Sequence, residues 1–593
     1  MSAQGRLRRA LAAIATLLLT AWMTSFATGS ALAIATCGTL ATDPANGLAG
    51  NPVIKSVSSS IVPANGPNAS YCFVHLLYGT NPNQNINIVL AMPLSVVDGG
   101  SGGVQGAWNG RTQGLGGGGC SGIAAVNPAM LTALNTGYVA SGTDLGHSGG
   151  SCEPGVNADG SYNLQFINDF IRNAIKQQIL LSKSIAKTYY GLKPVYNYWN
   201  GCSTGGRQGY LLAQELGDEL DGILAGAPAI YWTRFQTAQM WGEIAMKELV
   251  GSSIAPAKLA AVRAAAISAC DAADGVTDGI IDDPRTCKFD AIQAVCGNAH
   301  APAANCLTMA EAQAVNKIWD GPRNRRGERI WYGLDRGTDL TGLNGATPFA
   351  LGVTQFHWDE HNLTFDWQTV SMEEYPDVAQ AGSRNIADIT DTFKPIDEFK
   401  RSGGKLLTYV GGNDQLIYPH GVISYYRAMA VRYSDHGDPD FHNLQKFYRL
   451  FRAPGMGHCG GGLGPAPTDP FGALVTWVEH GTPPATLLAS GGSAAPVTGR
   501  TRPLCPYPQT AIYNGAGSID SASSFHCGGN LETRESVCAD VRARYKHEVH
   551  GPLDFEGSGL RPEDCFVHDH DRVSERDHDG DDDDDDRGGH GRD

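Results

Sequence analysis

Apolar positions along this chain change their spacing several times, and each change predicts an element. From Ile86 to Pro93 apolar and polar residues alternate and then fill in, as in a half-buried strand. Tyr138 to Asp144 reads as another strand ending in a polar loop, and Asn168 to Lys187 as a long helix. Val195 to Asn200 is an aromatic strand, Gly205 to Leu216 a helix, and Gly222 to Pro228 a continuous apolar run that suits a buried strand. Strands alternating with helices in this way predict an α/β fold whose parallel sheet is covered on both faces.

From Ile230 the texture changes. Helical patterns over Arg234–Val250 and Ala255–Ala273 give way to loops rich in Gly, Trp and Asp as far as Pro395. A strand pattern returns at Lys405 to Val410, followed by a helix at Gly421 to Tyr433 and a strand at Phe447 to Phe451. An insertion explains this most economically: a lid of residues 230–395 interrupts a core made of 34–229 and 396–566.

The two ends read differently. Arg6, Arg8 and Arg9 precede the apolar run Ala10 to Ala21 and the small-residue site Ala31-Leu32-Ala33, so residues 1–33 are expected to be a secretory signal peptide and the protein extracellular or periplasmic. Nothing later reaches the ~18–20 apolar residues of a membrane span, and no membrane partner is expected. Residues 567–593 hold twelve Asp or Glu against four Arg, too charged to build a core, and are expected to form a disordered acidic tail. A formal charge of −16 argues against a nucleic-acid partner, because phosphates need a basic face.

Fourteen cysteines fit an oxidising compartment. Their spacing suggests Cys37 with Cys72, Cys270 with Cys287, Cys296 with Cys306 and Cys505 with Cys527, and leaves Cys120, Cys152, Cys538 and Cys565 open. The lack of any Cys-x-x-Cys argues against structural zinc.

Candidate chemistry begins at Gly201-Cys202-Ser203-Thr204-Gly205. A Gly-x-Ser-x-Gly pattern is easily met by chance among 75 glycines, but this one stands between a strand and a helix. A tight turn there lifts a serine hydroxyl clear of the sheet, with the free N–H groups of the helix start behind it. Asp414 and His458 each follow an apolar strand, and the order Ser203, Asp414, His458 is the chain order of the α/β-hydrolases. A serine hydroxyl needs an imidazole to take its proton and a carboxylate to orient that imidazole. Cys202 precedes the serine and Cys459 follows the histidine, so a disulfide between them would tie the two together. The Gly116–Gly119 run lies where such an enzyme places its oxyanion loop. Asp271 to Asp282 packs four aspartates into twelve residues between Cys270 and Cys287. Hard oxygen donors suit Ca²⁺ rather than zinc, although the register is not that of an EF-hand and an acidic surface turn gives the same pattern.

These residues resemble the secreted tannase and feruloyl esterase family, which includes bacterial esterases acting on mono-(2-hydroxyethyl) terephthalate. The resemblance rests on Gly201-Cys202-Ser203-Thr204-Gly205-Gly206-Arg207-Gln208-Gly209, on Asp414 and on His458-Cys459. It extends to Trp108-Asn109-Gly110-Arg111, to Ser141–His147 and to Asp221–Pro228, covering the chain from about Cys37 to Cys527. It implies an α/β-hydrolase core with a large inserted lid, acting on esters of aromatic (phenolic) acids such as galloyl, feruloyl or terephthaloyl esters through an acyl-enzyme. Ser203, Asp414 and His458 would be the triad. The sequence departs from the family at Gly117, where Asn is usual, and the implied oxyanion donors are Thr204 and Gly118. The resemblance also implies a structural Ca²⁺ in the lid, held by Asp271, Asp274, Asp278 and the carbonyls of Val276 and Ile280, with no organic cofactor and a small aromatic ester as the only partner. A peptidase on the same fold, or a secreted binding protein with an inactive triad, are the alternatives.

Overall fold

The computed structural model describes residues 35–299, 301–343, 350–386, 390–391, 394–434, 438–492, 499–548 and 565. The expected signal peptide, 1–33, and acidic tail, 567–593, lie outside the described residues. The chain forms two compact units, and no helix among the described residues is long and apolar enough to cross a membrane.

The first unit takes the described residues up to Gln113 together with Ala125–Ser141 and Gln178–Tyr196. Its strands β1 (Ile54–Val62), β2 (Tyr71–Tyr78) and β3 (Ile86–Pro93) form an antiparallel meander. Along β2 every second residue is buried (Cys72, Val74, Leu76, Tyr78), as period-two alternation requires of a strand with one face on a core. The Cys37–Cys72 disulfide fastens the short helix Cys37–Leu40 to β2. Trp108 stacks on Tyr190 with ring centroids 4.2 Å apart.

Strands β4 (Arg111–Leu115) and β5 (Val139–Thr143) come next in the chain. The second unit is built on β6 (Tyr196–Cys202), β7 (Gly222–Gly226), β8 (Lys405–Gly411) and β9 (Tyr448–Ala453), all parallel. Every residue of β7 is buried, which is why its sequence is an unbroken apolar run. β7 and β8 are direct neighbours although about 180 residues separate them, and the described residues of that long connection form helices and loops but no strand. Helix Trp232–Ala238 leads through Met240 into helix Trp241–Val250, which shares a core of Met240, Trp241, Ile244, Phe356 and Tyr375 with helix Ala350–Asp359 and helix Tyr375–Asn385. The single helix expected over 234–250 is broken at Gln239 and Met240, where the Gln239 amide donates to the Leu416 carbonyl at 2.9 Å. Phe356, Trp358 and Trp331 are buried, Phe356 within this core.

The C-terminal ends of β8 and β9 are held close. Gly412 N–H donates to the Ala453 carbonyl (2.7 Å) and Asn413 N–H to that of Met456 (2.9 Å). A Cβ on Gly411 would stand 2.4 Å from the carbonyl oxygens of both Met456 and Gly457. Gly411→Ala is therefore expected to lower stability by roughly 1–3 kcal/mol, the usual effect of overpacking. An unchanged midpoint in denaturant melts would contradict this close approach.

Candidate active site

Three segments meet at the C-terminal edge of the parallel strands. At the first, β6 runs into the helix Thr204–Glu215 through Ser203, whose φ of 63° and ψ of −123° are unusual for a residue with a side chain. Such a conformation persists only where its surroundings fix it. Here the Ser203 N–H donates to Gly226 (3.0 Å), and its carbonyl accepts from Arg207 (3.0 Å) and Ala229 (3.1 Å). Close passage of the helix start beside the 116–119 loop needs glycine on both sides. A Cβ on Gly116 would lie 2.4 Å from Gly205 Cα, and Gly205 N–H donates to the Gly117 carbonyl at 2.9 Å.

Asp414 and His458 supply the other two segments. His458 Nδ1 lies 2.9 Å from Asp414 Oδ2, while Asp414 Oδ1 accepts the N–H groups of Leu416 (2.8 Å) and Ile417 (3.0 Å). The Asp414 side chain is fully buried, so these contacts replace the water it has lost; that of His458 retains 17% exposure. The imidazole is thereby oriented from its Nδ1 side, and its Nε2 is 3.7 Å from Cys459 Sγ. Cys459 is bonded to Cys202, with a Cα–Cα distance of 6.0 Å, which brings the neighbours of Ser203 and His458 together across 257 positions. Among the described residues the Ser203 hydroxyl makes no hydrogen bond to His458, and such contacts commonly tighten only when substrate is bound.

In the glycine loop most donors are already engaged. Gly116 N–H donates to Asn200 (3.1 Å), Gly117 N–H to Gln208 Oε1 (3.1 Å) and Gly118 N–H to Ser121 (3.0 Å). The Gly118 donor expected from the sequence is thus spent in a small Gly118–Ser121 turn. Gly119 remains, and its carbonyl accepts from the Thr204 hydroxyl at 2.6 Å. Gln208 was not foreseen, since its role follows only from where the helix sets its side chain.

The acidic loop closes largely on itself. Asp271 accepts the N–H groups of Asp278 (3.1 Å), Gly279 (2.9 Å) and Ile280 (3.2 Å), and Asp274 that of Val276 (2.9 Å). Asp278 faces Arg502 and Arg500. Burial, with Asp278 and Asp271 nearby, pushes the Asp274 carboxyl up to about 6. Burial, with Asp274 and Asp278 alongside, pushes Asp282 up to about 8. No group of three or more His, Cys, Asp or Glu side chains converges as a metal site among the described residues.

All fourteen cysteines are paired, in the five expected bonds together with Cys120–Cys152 and Cys538–Cys565. Replacing Cys202 and Cys459 with serine removes the longest closed loop and is expected to lower stability by about 5–6 kcal/mol in the chain-entropy account. Calorimetry of the double variant checks this, and an unshifted transition would mean that the bond contributes nothing.

The chain is similar to known proteins. The family model for tannase and feruloyl esterase matches residues 104–528. A protein of Arthroderma benhamiae named a probable feruloyl esterase is 35% identical over 444 residues, covering 71% of this chain and 80% of that one. Among solved structures, feruloyl esterase B from Aspergillus oryzae superposes with a TM-score of 0.67 at 24% identity, over 80% of this chain and 96% of that one. The tannin acyl hydrolase of Aspergillus niger gives 0.68 at 22%, over 82% and 93%. These two likenesses establish the α/β-hydrolase fold. By the extent of the family match and of the sequence identity, the chain belongs to the tannase and feruloyl esterase family of carboxylic ester hydrolases.

Proposed function

We propose that Ser203, His458 and Asp414 form the catalytic triad of a secreted enzyme that hydrolyses esters of aromatic (phenolic) acids. The observation that carries this reading is the 2.9 Å contact of His458 Nδ1 with the buried Asp414 carboxylate, next to the Cys202–Cys459 bond that draws His458 toward Ser203. Ser203 Oγ attacks the ester carbonyl carbon while His458 Nε2 takes its proton. The resulting oxyanion is met by the Thr204 N–H at the start of the helix. The loop donor is Gly119 in preference to Gly118, whose N–H is engaged with Ser121. Collapse breaks the bond to the alcohol, which leaves with the proton from His458. Water, deprotonated by His458, then releases the acid and restores Ser203. Asp414 keeps Nδ1–H of His458 in place and steadies the imidazolium.

Aromatic acyl groups are supported by the names of the relatives, which are feruloyl esterases and a tannin acyl hydrolase. Secretion is supported by seven disulfides, which persist in oxidising compartments. The acidic loop is proposed to hold a structural Ca²⁺ through Asp271, Asp274, Asp278 and the carbonyls of Val276 and Ile280. Oxygen-only donors fit that ion, and a dication would offset the burial and the mutual crowding that raise Asp274 and Asp282. Asp271, however, already spends its oxygens on the loop's own backbone, so it would act mainly by shaping the loop.

Two measurements test these readings. Wild type is expected to turn over at least one of methyl ferulate, methyl gallate and mono-(2-hydroxyethyl) terephthalate, with Ser203→Ala about 10⁴-fold slower or worse. A fully active Ser203→Ala variant would exclude the mechanism. Removing calcium with EDTA is expected to lower the melting temperature, since an ion at a hundred times its Kd contributes about 2.7 kcal/mol. An unchanged melt after verified metal removal would exclude the ion.

A further inference from the structure

The helix Ala350–Asp359 of the inserted segment is gripped by one short turn, Glu153–Gly155. His357 Nδ1 lies 3.0 Å from each oxygen of Glu153, and the Thr354 hydroxyl donates to Glu153 Oε1 at 3.0 Å. Trp358 Nε1 donates to the Cys152 carbonyl at 3.0 Å, and its ring comes within 2.1 Å of where a Cβ on Gly155 would stand. Residues 354, 357 and 358 are one helical turn apart, so all three meet the same neighbour.

The turn they grip is itself joined to the glycine loop. Cys152 is bonded to Cys120, and Cys120 follows Gly119, whose carbonyl is held by the Thr204 hydroxyl. His147 Nε2 adds a 2.7 Å contact to the Cys120 carbonyl. A covalent and hydrogen-bonded path therefore runs from the residue after Ser203 to the middle of this helix. The helix start also approaches the loop: Leu351 Cδ1 lies 4.0 Å from where a Cβ on Gly119 would stand, so Leu351 is the side chain that borders the open face of that glycine. Leu351 is only half-buried, so part of its apolar surface stays open beside the loop.

We propose that Leu351 forms a wall of the acyl subsite beside Gly119 and selects acyl groups by size, and that Glu153 is the positioning residue that holds it there. The proposal rests on the reading of Ser203 as nucleophile. An apolar side chain at this place favours a neutral, planar acyl group. A bulkier one fills the space that the ring would take, and a shorter one opens it.

The test uses two esters with one alcohol, 4-nitrophenyl benzoate and 4-nitrophenyl acetate, so that only the acyl group differs. Their ratio of kcat/KM cancels the fraction of enzyme that is folded, a readout that a merely structural role does not move. Leu351→Trp is expected to lower the benzoate-to-acetate ratio about tenfold or more, the scale on which pocket volume discriminates. Leu351→Ala is expected to raise it several-fold. Glu153→Ala is expected to shift the ratio in the direction of Leu351→Ala, whereas Glu153→Gln, which still accepts from Thr354 and His357, stays near wild type. Ratios within about twofold of wild type for both Leu351 variants, with Ser203 still labelled by a fluorophosphonate, overturn the proposal alone. Leu351 effects without any from Glu153→Ala overturn the positioning role. Failure of the wild-type Ser203 to label removes the underlying reading and this proposal with it.

Discussion

The site depends on holding together chain segments that sequence keeps far apart. Ser203 stands 211 positions before Asp414 and 255 before His458, and parallel β6, β7, β8 and β9 bring their C-terminal ends into line. Alignment of strands alone leaves the loops beyond them free to move. The Cys202–Cys459 bond and the backbone contacts of Gly412 and Asn413 remove that freedom. Closing so long a loop stabilises the fold, but the sharper consequence is geometric: the residue after His458, the proposed base, is bonded to the residue before Ser203, the proposed nucleophile.

Burial fits the proposed roles. Asp414 has no access to water and is satisfied by two N–H groups and one imidazole, so it acts as a fixed acceptor. His458 keeps some exposure, as the proposed exchange of a proton between its Nε2, Ser203, the alcohol and water requires. The strained Ser203 backbone costs of order 1–3 kcal/mol, which the surrounding hydrogen bonds offset. Strain of that kind survives where it positions a reacting group.

Much of this was legible in the sequence because it is written in local patterns. The unbroken apolar run at Gly222–Gly226, the strand–glycine–serine–glycine–helix order and the two cysteines beside Ser203 and His458 each follow from spacing or adjacency. Features set by side-chain reach were not legible. Nothing local says that Gln208 takes the Gly117 N–H, that Gly118 turns its donor to Ser121, or that Glu153 meets His357 from 204 positions away. The burial of the aromatic residues at 331, 356 and 358 is likewise set by packing and not by anything local in the sequence.

The most direct measurement is peptide mapping after labelling with a fluorophosphonate, with digestion under non-reducing conditions. The label is expected on Ser203, in a peptide still joined through Cys202–Cys459 to the one that carries His458. Undiminished ester hydrolysis with Ser203 unlabelled, or label on another residue, would contradict the account.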